Sequence, residues 1–458
     1  MSYVGRSDAE REQMLASLGV ADFEALLRDV PAEARLRRRL DLPGPLSEIE
    51  VRAELEALAA RNDAAAGAVS FLGGGMYDHY VPAIVPRLML RSEFITCYTP
   101  YQPEVSQGTL TVIFEFQSMI AELTGMDVAQ ASLYDGGSAV AEACLLARAH
   151  TNRDRVVVAG GLHPSYMDVL KTIVGPEHVT HVLAEGGIAP AAAIARQLGP
   201  DVAAVVLAYP NFFGVVEPGL PELAAQAKAA GALTVVAADP LGLALLTPPG
   251  QWGADICVGE GQPLGVPPSF GGPGFGFMGV RKELVRRLPG RLVGETVDHH
   301  GRRGFVLTLQ TREQHIRREK ATSNICTNQG LLALGAAIHL AVLGKQGLRE
   351  VAELCFQKTH YAARRAQEVA GLGLAYPQPF FREFVLELPV PAARALEFGR
   401  GRGLLVGVDL GRISQSWRNH LLVAVTEKRT KAEIDRWAEC LAAAVQAERG
   451  AAAGTGGR

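Results

Sequence analysis

The stretch that decides the fold is DICVGEGQPLGVPPSFGGPGFGFMGV, residues 255–280. Residues 256–258 form the short apolar run of a buried strand, and residues 275–280 alternate large side chains with glycine in the manner of a second strand. The run between them, residues 259–274, is too rich in glycine and proline for a helix or a strand. A long glycine loop is costly to order, so we expect it to lie over a ligand or another chain.

Upstream of this loop, apolar runs alternate with helical patterns. The helical patterns include residues 189–198 and 221–230. The apolar runs lie at residues 156–159, 179–184, 203–208, 233–238 and 256–258. Continuous apolar strands separated by helices predict an α/β fold with a mostly parallel sheet that is covered on both faces.

Four polar residues follow the carboxyl ends of the predicted strands: His163, Asn211, Asp239 and Gln262. Taken singly, each has an ordinary explanation as a turn former or a loop cap. Ligands on parallel sheets bind at the carboxyl ends of the strands, so their shared position makes them candidates for one site.

Gly136, Gly137 and Ser138 open a predicted helix. Free amides and a hydroxyl at the positive end of a helix suit a phosphate. The alternative, which the sequence alone favours, is that Ser138 is an ordinary N-cap.

Residues 71–108 contain three consecutive glycines, four tyrosines and four prolines. Proline fixes extended or turn geometry, and tyrosine provides a rigid flat surface with a hydroxyl at its tip. Such a stretch is typical of a binding surface, or equally of an ordered arm packed on a neighbouring subunit. The sequence leaves both interpretations open.

The remaining patterns predict the domain organisation. Capping boxes begin two helices, at Ser7 with Glu10 and at Ser47 with Glu50. Residues 329–369 are largely helical, with a break near 344–347. We therefore expect a helical N-terminal arm (1–70), a large α/β domain (71–325), a small α/β C-terminal domain (326–449) and a disordered tail (450–458).

Composition excludes several classes of function. The 458 residues carry a formal net charge of −3, so nothing in the overall charge favours nucleic acid or a membrane surface. Six cysteines without a CxxC pair indicate a reducing compartment and argue against a metal knuckle or a disulfide framework. The polar first residues do not resemble a signal peptide, and the apolar block 331–344 is too short for a bilayer. A cytoplasmic protein is expected.

Several stretches together resemble one family, the glycine decarboxylase P-protein of the bacterial glycine cleavage system. They are residues 71–80, 91–108, 114–126, 132–143, 269–276 and 311–328. The resemblance implies the pyridoxal-phosphate-dependent transferase fold of the aspartate-aminotransferase type (fold type I). That fold has a large domain around a mostly parallel seven-stranded sheet and a small α/β C-terminal domain.

In enzymes of this fold, a lysine on the glycine-rich loop forms an imine with the cofactor. No lysine occurs between Ile256 and Val280, and matching backward from the glycines at 271–274 places Gln262 at the lysine position. A carboxamide cannot form an imine. The chain therefore resembles the lysine-less first subunit of the two-chain form, in which pyridoxal phosphate is expected covalently on the partner subunit 2.

The resemblance implies that the two chains together decarboxylate glycine and transfer the aminomethyl group to lipoyl H-protein, as a two-plus-two heterotetramer. It implies vestigial cofactor contacts, with Asp239 for the ring nitrogen, His163 for the ring face, and Gly136, Gly137 and Ser138 for the phosphate. It also implies residues lent to the partner's site: Tyr98, Tyr101, Gln107, Thr322, Ser323 and Asn324.

Two alternatives remain at this stage. One is a stand-alone pyridoxal-phosphate enzyme that uses another lysine, such as Lys282. The other is a scaffold that only stabilises the second chain.

Overall fold

The structure is a computed structural model, and it describes residues 5, 7–38, 40–62, 68–184, 186–321, 323 and 325–455, with the backbone alone for 450–455. The chain divides into two compact units, Met1–Ala66 and Gly67–Arg458.

The first unit contains three α-helices among its described residues, α1 (Asp8–Ser17), α2 (Phe23–Leu26) and α3 (Glu48–Ala59). Both predicted capping boxes are confirmed, because the Ser7 and Ser47 hydroxyls each pair with the glutamate three residues on. None of the three helices has a buried residue, so little within this unit stabilises them.

The second unit carries the remaining elements. Its described α-helices are α4 (Ile84–Met89), α5 (Ser92–Ile95), α6 (Pro103–Thr124), α7 (Gly136–Thr151), α8 (Pro164–Val174), α9 (Ala191–Ala195), α10 (Leu220–Ala229), α11 (Gln314–Arg317), α12 (Gly330–Gln367), α13 (Ala392–Arg400) and α14 (Lys431–Thr455). Its described strands are β1 (Val69–Ser70), β2 (Val128–Ala129), β3 (Arg155–Ala159), β4 (Val179–Val182), β5 (Val202–Tyr209), β6 (Leu233–Ala238), β7 (Ile256–Glu260), β8 (Gly276–Val280), β9 (Leu292–Val297), β10 (Arg303–Thr308), β11 (Gly373–Leu374), β12 (Glu383–Glu387), β13 (Leu404–Leu405), β14 (Val408–Asp409) and β15 (His420–Ala424).

The predicted sheet is confirmed. Within the described residues it has seven strands in the order β2-β8-β7-β6-β5-β3-β4, and only β8 runs against the others. Alternate residues of β5 pack into two different cores, Val205 and Leu207 into one and Ala204 and Val206 into the other. Both faces of the sheet are therefore covered, which is why its strands are continuous apolar runs.

The small domain is an antiparallel sheet of described strands β11-β12-β15-β14, packed against α12, α13 and α14. Trp437 is fully buried there, and its indole nitrogen donates to the Val406 carbonyl at 2.9 Å. The Phe71 ring stacks on it with 5.1 Å between ring centroids. The start of the tyrosine-rich arm, residues 71–108, is thus anchored in the small domain.

Helix α12 connects the large and small domains and is kinked at Gly344, where a positive φ of 61° interrupts it near the predicted break. Among the described residues it is the one helix long and apolar enough to cross a membrane, but residues such as Ala336 and Leu340 pack into the large-domain core. At the other end of the domain, α14 continues to Thr455, beyond the expected boundary at 449.

Replacing Phe71 by alanine should lower the free energy of unfolding by about 3–5 kcal/mol, because it leaves a cavity against Trp437. Urea titration of the purified chain measures this. Phe356→Ala is the matched control, since that ring is 41 % exposed and its loss should cost well under about 1 kcal/mol. Equal effects of the two substitutions would contradict the packing role of Phe71.

Candidate functional site

A cavity of about 90 Å³ lies at the carboxyl ends of the parallel strands. Of the four residues that the sequence assigns to one site, His163, Asn211 and Asp239 line this cavity after β3, β5 and β6, whereas Gln262 is fully buried and is not part of its lining. Glu260, the last residue of β7, completes this edge. Parallel strands therefore bring together residues that are far apart in the sequence.

Asp239 is fully engaged by protein groups. One carboxylate oxygen forms an ion pair with the Arg382 Nε at 2.7 Å, and the other accepts from the backbone N–H groups of Leu241 and Gly242. Arg382 lies directly before β12 of the small domain and is only 2 % exposed. The guanidinium thus occupies the place beside Asp239 that the resemblance assigns to the nitrogen of the cofactor ring.

Arg382 is the first member of a buried chain of hydrogen bonds. Its Nη1 donates to the His79 Nε2, and the His79 Nδ1 donates to Glu427 at 2.6 Å. Burial lowers the pKa of His79, while its hydrogen bond helps to hold the pKa of Glu427 at about 2 against the opposing effect of burial. We conclude that His79 is neutral and Glu427 is ionised.

This hydrogen-bond chain includes a cluster of residues whose side chains can bind metals. His79, Cys355 and Glu427 lie within 4.8 Å of one another and are the one such group among the described residues. Both ring nitrogens of His79 are already used, and Arg382 donates to one of them. If Nδ1 bound a metal, the proton of the neutral ring would move to Nε2. That N–H would then point at the N–H of Arg382, so the arrangement does not suit a cation.

The predicted phosphate cradle is filled by two carboxylates. Glu260 accepts from the Gly136 N–H at 3.0 Å, and Asp135 accepts from the Ser138 N–H at 2.7 Å. The expectation that Ser138 caps this helix is wrong, because Asp135 is the N-cap. Gly137 lies in the buried first turn with them. A phosphate at this helix end would meet two carboxyl groups instead of free amides.

Glu260 is held firmly in that place. Its other oxygen accepts from the backbone N–H groups of Phe275 (3.0 Å) and Gln262 (3.1 Å). Burial nevertheless raises the pKa of Glu260 to about 7, since desolvation outweighs these hydrogen bonds. Nearby, the Tyr166 hydroxyl leaves no room for a side chain at Gly136, because an added Cβ would lie 2.3 Å from it.

Gln262 is also satisfied within the chain. The carboxamide is fully buried, its oxygen accepts from the Tyr77 N–H at 3.0 Å, and its nitrogen donates to the carbonyls of Tyr77 (3.0 Å) and Val266 (2.7 Å). A glutamine here therefore fastens the arm segment around Tyr77 to the loop after β7, and its side chain has no free group for a ligand.

His163 is bound in a similar way. Its Nε2 donates to the Gly74 carbonyl at 2.8 Å, while its Nδ1 accepts from the Ser165 N–H at 3.1 Å. The ring packs against Tyr166 and Phe212. Burial lowers its pKa, and the two hydrogen bonds fix the neutral tautomer. The protein's own aromatic residues thus hold the ring that the resemblance assigns to stacking on the cofactor.

These residues do not fit pyridoxal phosphate. The positions for the imine lysine, the ring nitrogen, the phosphate and the ring face are each occupied by groups of the chain. The remaining volume of about 90 Å³ is well below the ~300–1,000 Å³ of typical small-molecule sites.

The candidates for a partner's site lie elsewhere on the second unit. Tyr98 is 82 % exposed and Tyr101 is 47 % exposed. Gln107 is committed within the chain, because its amide pairs with both backbone groups of Phe305 in β10. The Ser323 hydroxyl accepts from the Ile325 N–H. Thr322 and Asn324 lie outside the described residues.

Two important side chains of the cavity were not identified from the sequence. Glu260 lies in residues 255–280, two residues before Gln262. A carboxylate at the end of a predicted buried strand would have identified it as a candidate site residue. Arg382 carried no local signal, because only the packing of the small domain brings it to Asp239.

Lys282 lies at the opposite edge of the sheet from the cavity. It follows β8, whose last residue, Val280, pairs with Ile256 at the start of β7. The side chain is exposed. The alternative in which Lys282 carries a cofactor in this pocket is therefore not favoured.

Comparisons with known proteins identify similar sequences over nearly the whole chain. The family model described as glycine cleavage system P-protein matches residues 1–441. A relative in Chlorobium limicola, a probable glycine dehydrogenase (decarboxylating) subunit 1, is 53 % identical over 97 % of this chain and 100 % of the relative. One of the same description in Geobacillus thermodenitrificans is 49 % identical over 95 % of this chain and 97 % of its own length.

A crystal structure of glycine decarboxylase (P-protein) of the glycine cleavage system, in inhibitor-bound form, superposes with a TM-score of 0.87. It is 46 % identical and covers 97 % of this chain and 100 % of its own. A glutamate decarboxylase of Lactobacillus brevis, at 12 % identity and a TM-score of 0.66 over 91 % of this chain and 96 % of its own, shares the fold alone. The expected fold class is confirmed.

Replacing Gln262 by lysine should not create a cofactor site. We expect no absorbance band near ~420 nm that borohydride abolishes after addition of pyridoxal phosphate, because the other contacts remain filled. The free energy of unfolding should fall by about 3 kcal/mol or more, since the carboxamide's hydrogen bonds are lost and an ammonium is buried. Gln262→Met is the control that loses the hydrogen bonds without adding charge. A reducible band in the lysine variant would contradict the filled pocket.

Proposed function

This chain belongs to the glycine cleavage system P-protein family, and we propose that it is the lysine-less subunit of a two-chain glycine decarboxylase. The observation that carries the proposal is the filled pocket around Gln262, Asp239 and Glu260. The partner, subunit 2, supplies the imine lysine and the pyridoxal phosphate. Lipoyl H-protein accepts the aminomethyl group, and the assembly is a two-plus-two heterotetramer in the bacterial cytoplasm.

In this proposal residues 98–107 of the tyrosine-rich arm are this chain's contribution to the partner's site. Tyr98 and Tyr101 present exposed rings on the second unit. Their hydroxyls both donate and accept hydrogen bonds, which suits a phosphate or a substrate carboxylate. Gln107 contributes indirectly by fixing α6 to β10.

The turn at Thr322, Ser323 and Asn324 completes the proposed contribution. Ser323 is the described member of this turn. Its hydroxyl also bonds the buried carboxyl of Glu142 on α7, whose pKa burial raises to about 7. This contact links Ser323 to α7, the helix that begins at the filled phosphate cradle.

Glycine decarboxylation should require both chains. Each chain purified alone should release no labelled carbon dioxide from carboxyl-labelled glycine in the presence of pyridoxal phosphate and H-protein, whereas the reconstituted mixture should do so. Activity of this chain alone would contradict the proposal.

Tyr98→Phe and Tyr101→Phe should each lower turnover of the reconstituted complex by about tenfold or more, because each removes one hydroxyl that stabilises a buried anion. Gel filtration should show unchanged assembly. Tyr80→Phe removes an exposed hydroxyl of the same arm that lies outside residues 98–107, the part assigned to the partner's site, and is the matched control. Full turnover in both arm variants would favour the scaffold alternative instead.

A further inference from the structure

A second cavity, of about 210 Å³, lies beneath the arm of the second unit. Its walls come from the arm at Phe94 to Pro100, from α6, and from the start of α12. It shares no lining residue with the cavity at the strand ends. Its volume is several times the ~30 Å³ that a water molecule takes up in the liquid, so it admits a small organic molecule.

Arg291 lines this cavity and is only 5 % exposed. Its Nη1 donates to the Asn328 side-chain oxygen at 3.2 Å, but its buried Nε has no hydrogen-bond partner. Among the described residues no carboxylate forms an ion pair with it, and its guanidinium carbon lies over the Tyr101 ring at 5.9 Å from the ring centre. A buried guanidinium without a counter-charge is costly, which indicates that an anion belongs beside it.

The start of α12 adds to the positive potential. This long helix begins at Gly330, and its N-cap residue, Gln329, provides no side-chain hydrogen bond. Gly330 and Leu331 of the first turn line the cavity. The unsatisfied amides and the helix dipole therefore favour a negative charge at the same place as Arg291.

The remaining walls define the class of the anion. They are largely apolar, with Phe94, Ile113, Phe116 and Leu334 among them, and the described lining contains no aspartate or glutamate. The lining also includes the hydroxyl residues Tyr98, Thr99, Thr109 and Thr327, but it offers an amino acid's ammonium group no carboxylate for an ion pair, and it offers a phosphate dianion a single guanidinium as counter-charge. We propose that this cavity binds a small monocarboxylate with an uncharged, apolar body, its carboxylate held by Arg291 and the α12 amides.

The lining residues, Tyr98 of the proposed partner site among them, all belong to this chain, so binding is measured on this chain and its failure is distinguishable from a failure of the two-chain activity. Isothermal titration of the full chain with propionate, in a buffer free of carboxylate and phosphate, should show saturable one-to-one binding. Arg291→Gln should weaken binding by about tenfold or more, since it removes a charge-assisted contact. Arg349→Gln removes a charge from an exposed position of α12 and should leave binding unchanged.

A second variant keeps the test decisive if Arg291→Gln does not fold. Asn328→Asp preserves the side-chain shape and places a carboxylate 3.2 Å from the guanidinium, so it should neutralise Arg291 and also abolish propionate binding. Glycine and inorganic phosphate, titrated in parallel, should bind more weakly than propionate. Absent propionate binding in the unsubstituted chain, unchanged binding in Asn328→Asp, or tighter binding of glycine or phosphate would overturn the proposal.

Discussion

Asp239 and Arg382 form an ion pair at 2.7 Å inside the second unit, and the rest of the pocket depends on it. Asp239 follows a strand of the large sheet, whereas Arg382 comes from the small domain. Removing one member of a buried pair typically costs about 3–5 kcal/mol, because the other charge is left unpaired. The pair therefore fixes the two domains together and satisfies Asp239 without a ligand.

Other contacts follow from the same arrangement. The guanidinium carbon of Arg382 lies 3.5 Å from the centre of the Tyr77 ring, and the Tyr77 hydroxyl donates to Glu383 at 2.7 Å. Tyr77 is in turn fastened by the Gln262 carboxamide. A fold built around a coenzyme is thus stabilised by its own side chains at the place where the coenzyme would bind. Under the proposed function, this is how the chain keeps the architecture of a catalytic relative while the partner subunit carries the coenzyme.

The sequence predicted the large sheet well, because strands buried on both faces are short runs that are apolar throughout, and the helical patterns between these runs indicate a parallel sheet. It also predicted that His163, Asn211 and Asp239 lie at the same end of the sheet, because the carboxyl ends of parallel strands lie together. It did not predict that Asp135 rather than Ser138 caps α7, because both residues have the chemistry of an N-cap. The importance of Arg382 depends on how two domains pack, and local pattern does not encode that packing. Only the family resemblance indicated that Gln262 stands at the position of the imine lysine.

The central claim is that this chain has the fold of a pyridoxal-phosphate enzyme but leaves the covalent attachment to its partner. Borohydride reduction of the assembled two-chain complex, followed by mass spectrometry of peptides from each chain, tests it most directly. We expect the reduced pyridoxyl group on one lysine of the partner and on no side chain of this polypeptide. Stoichiometric pyridoxyl modification of any lysine in this polypeptide would contradict the account.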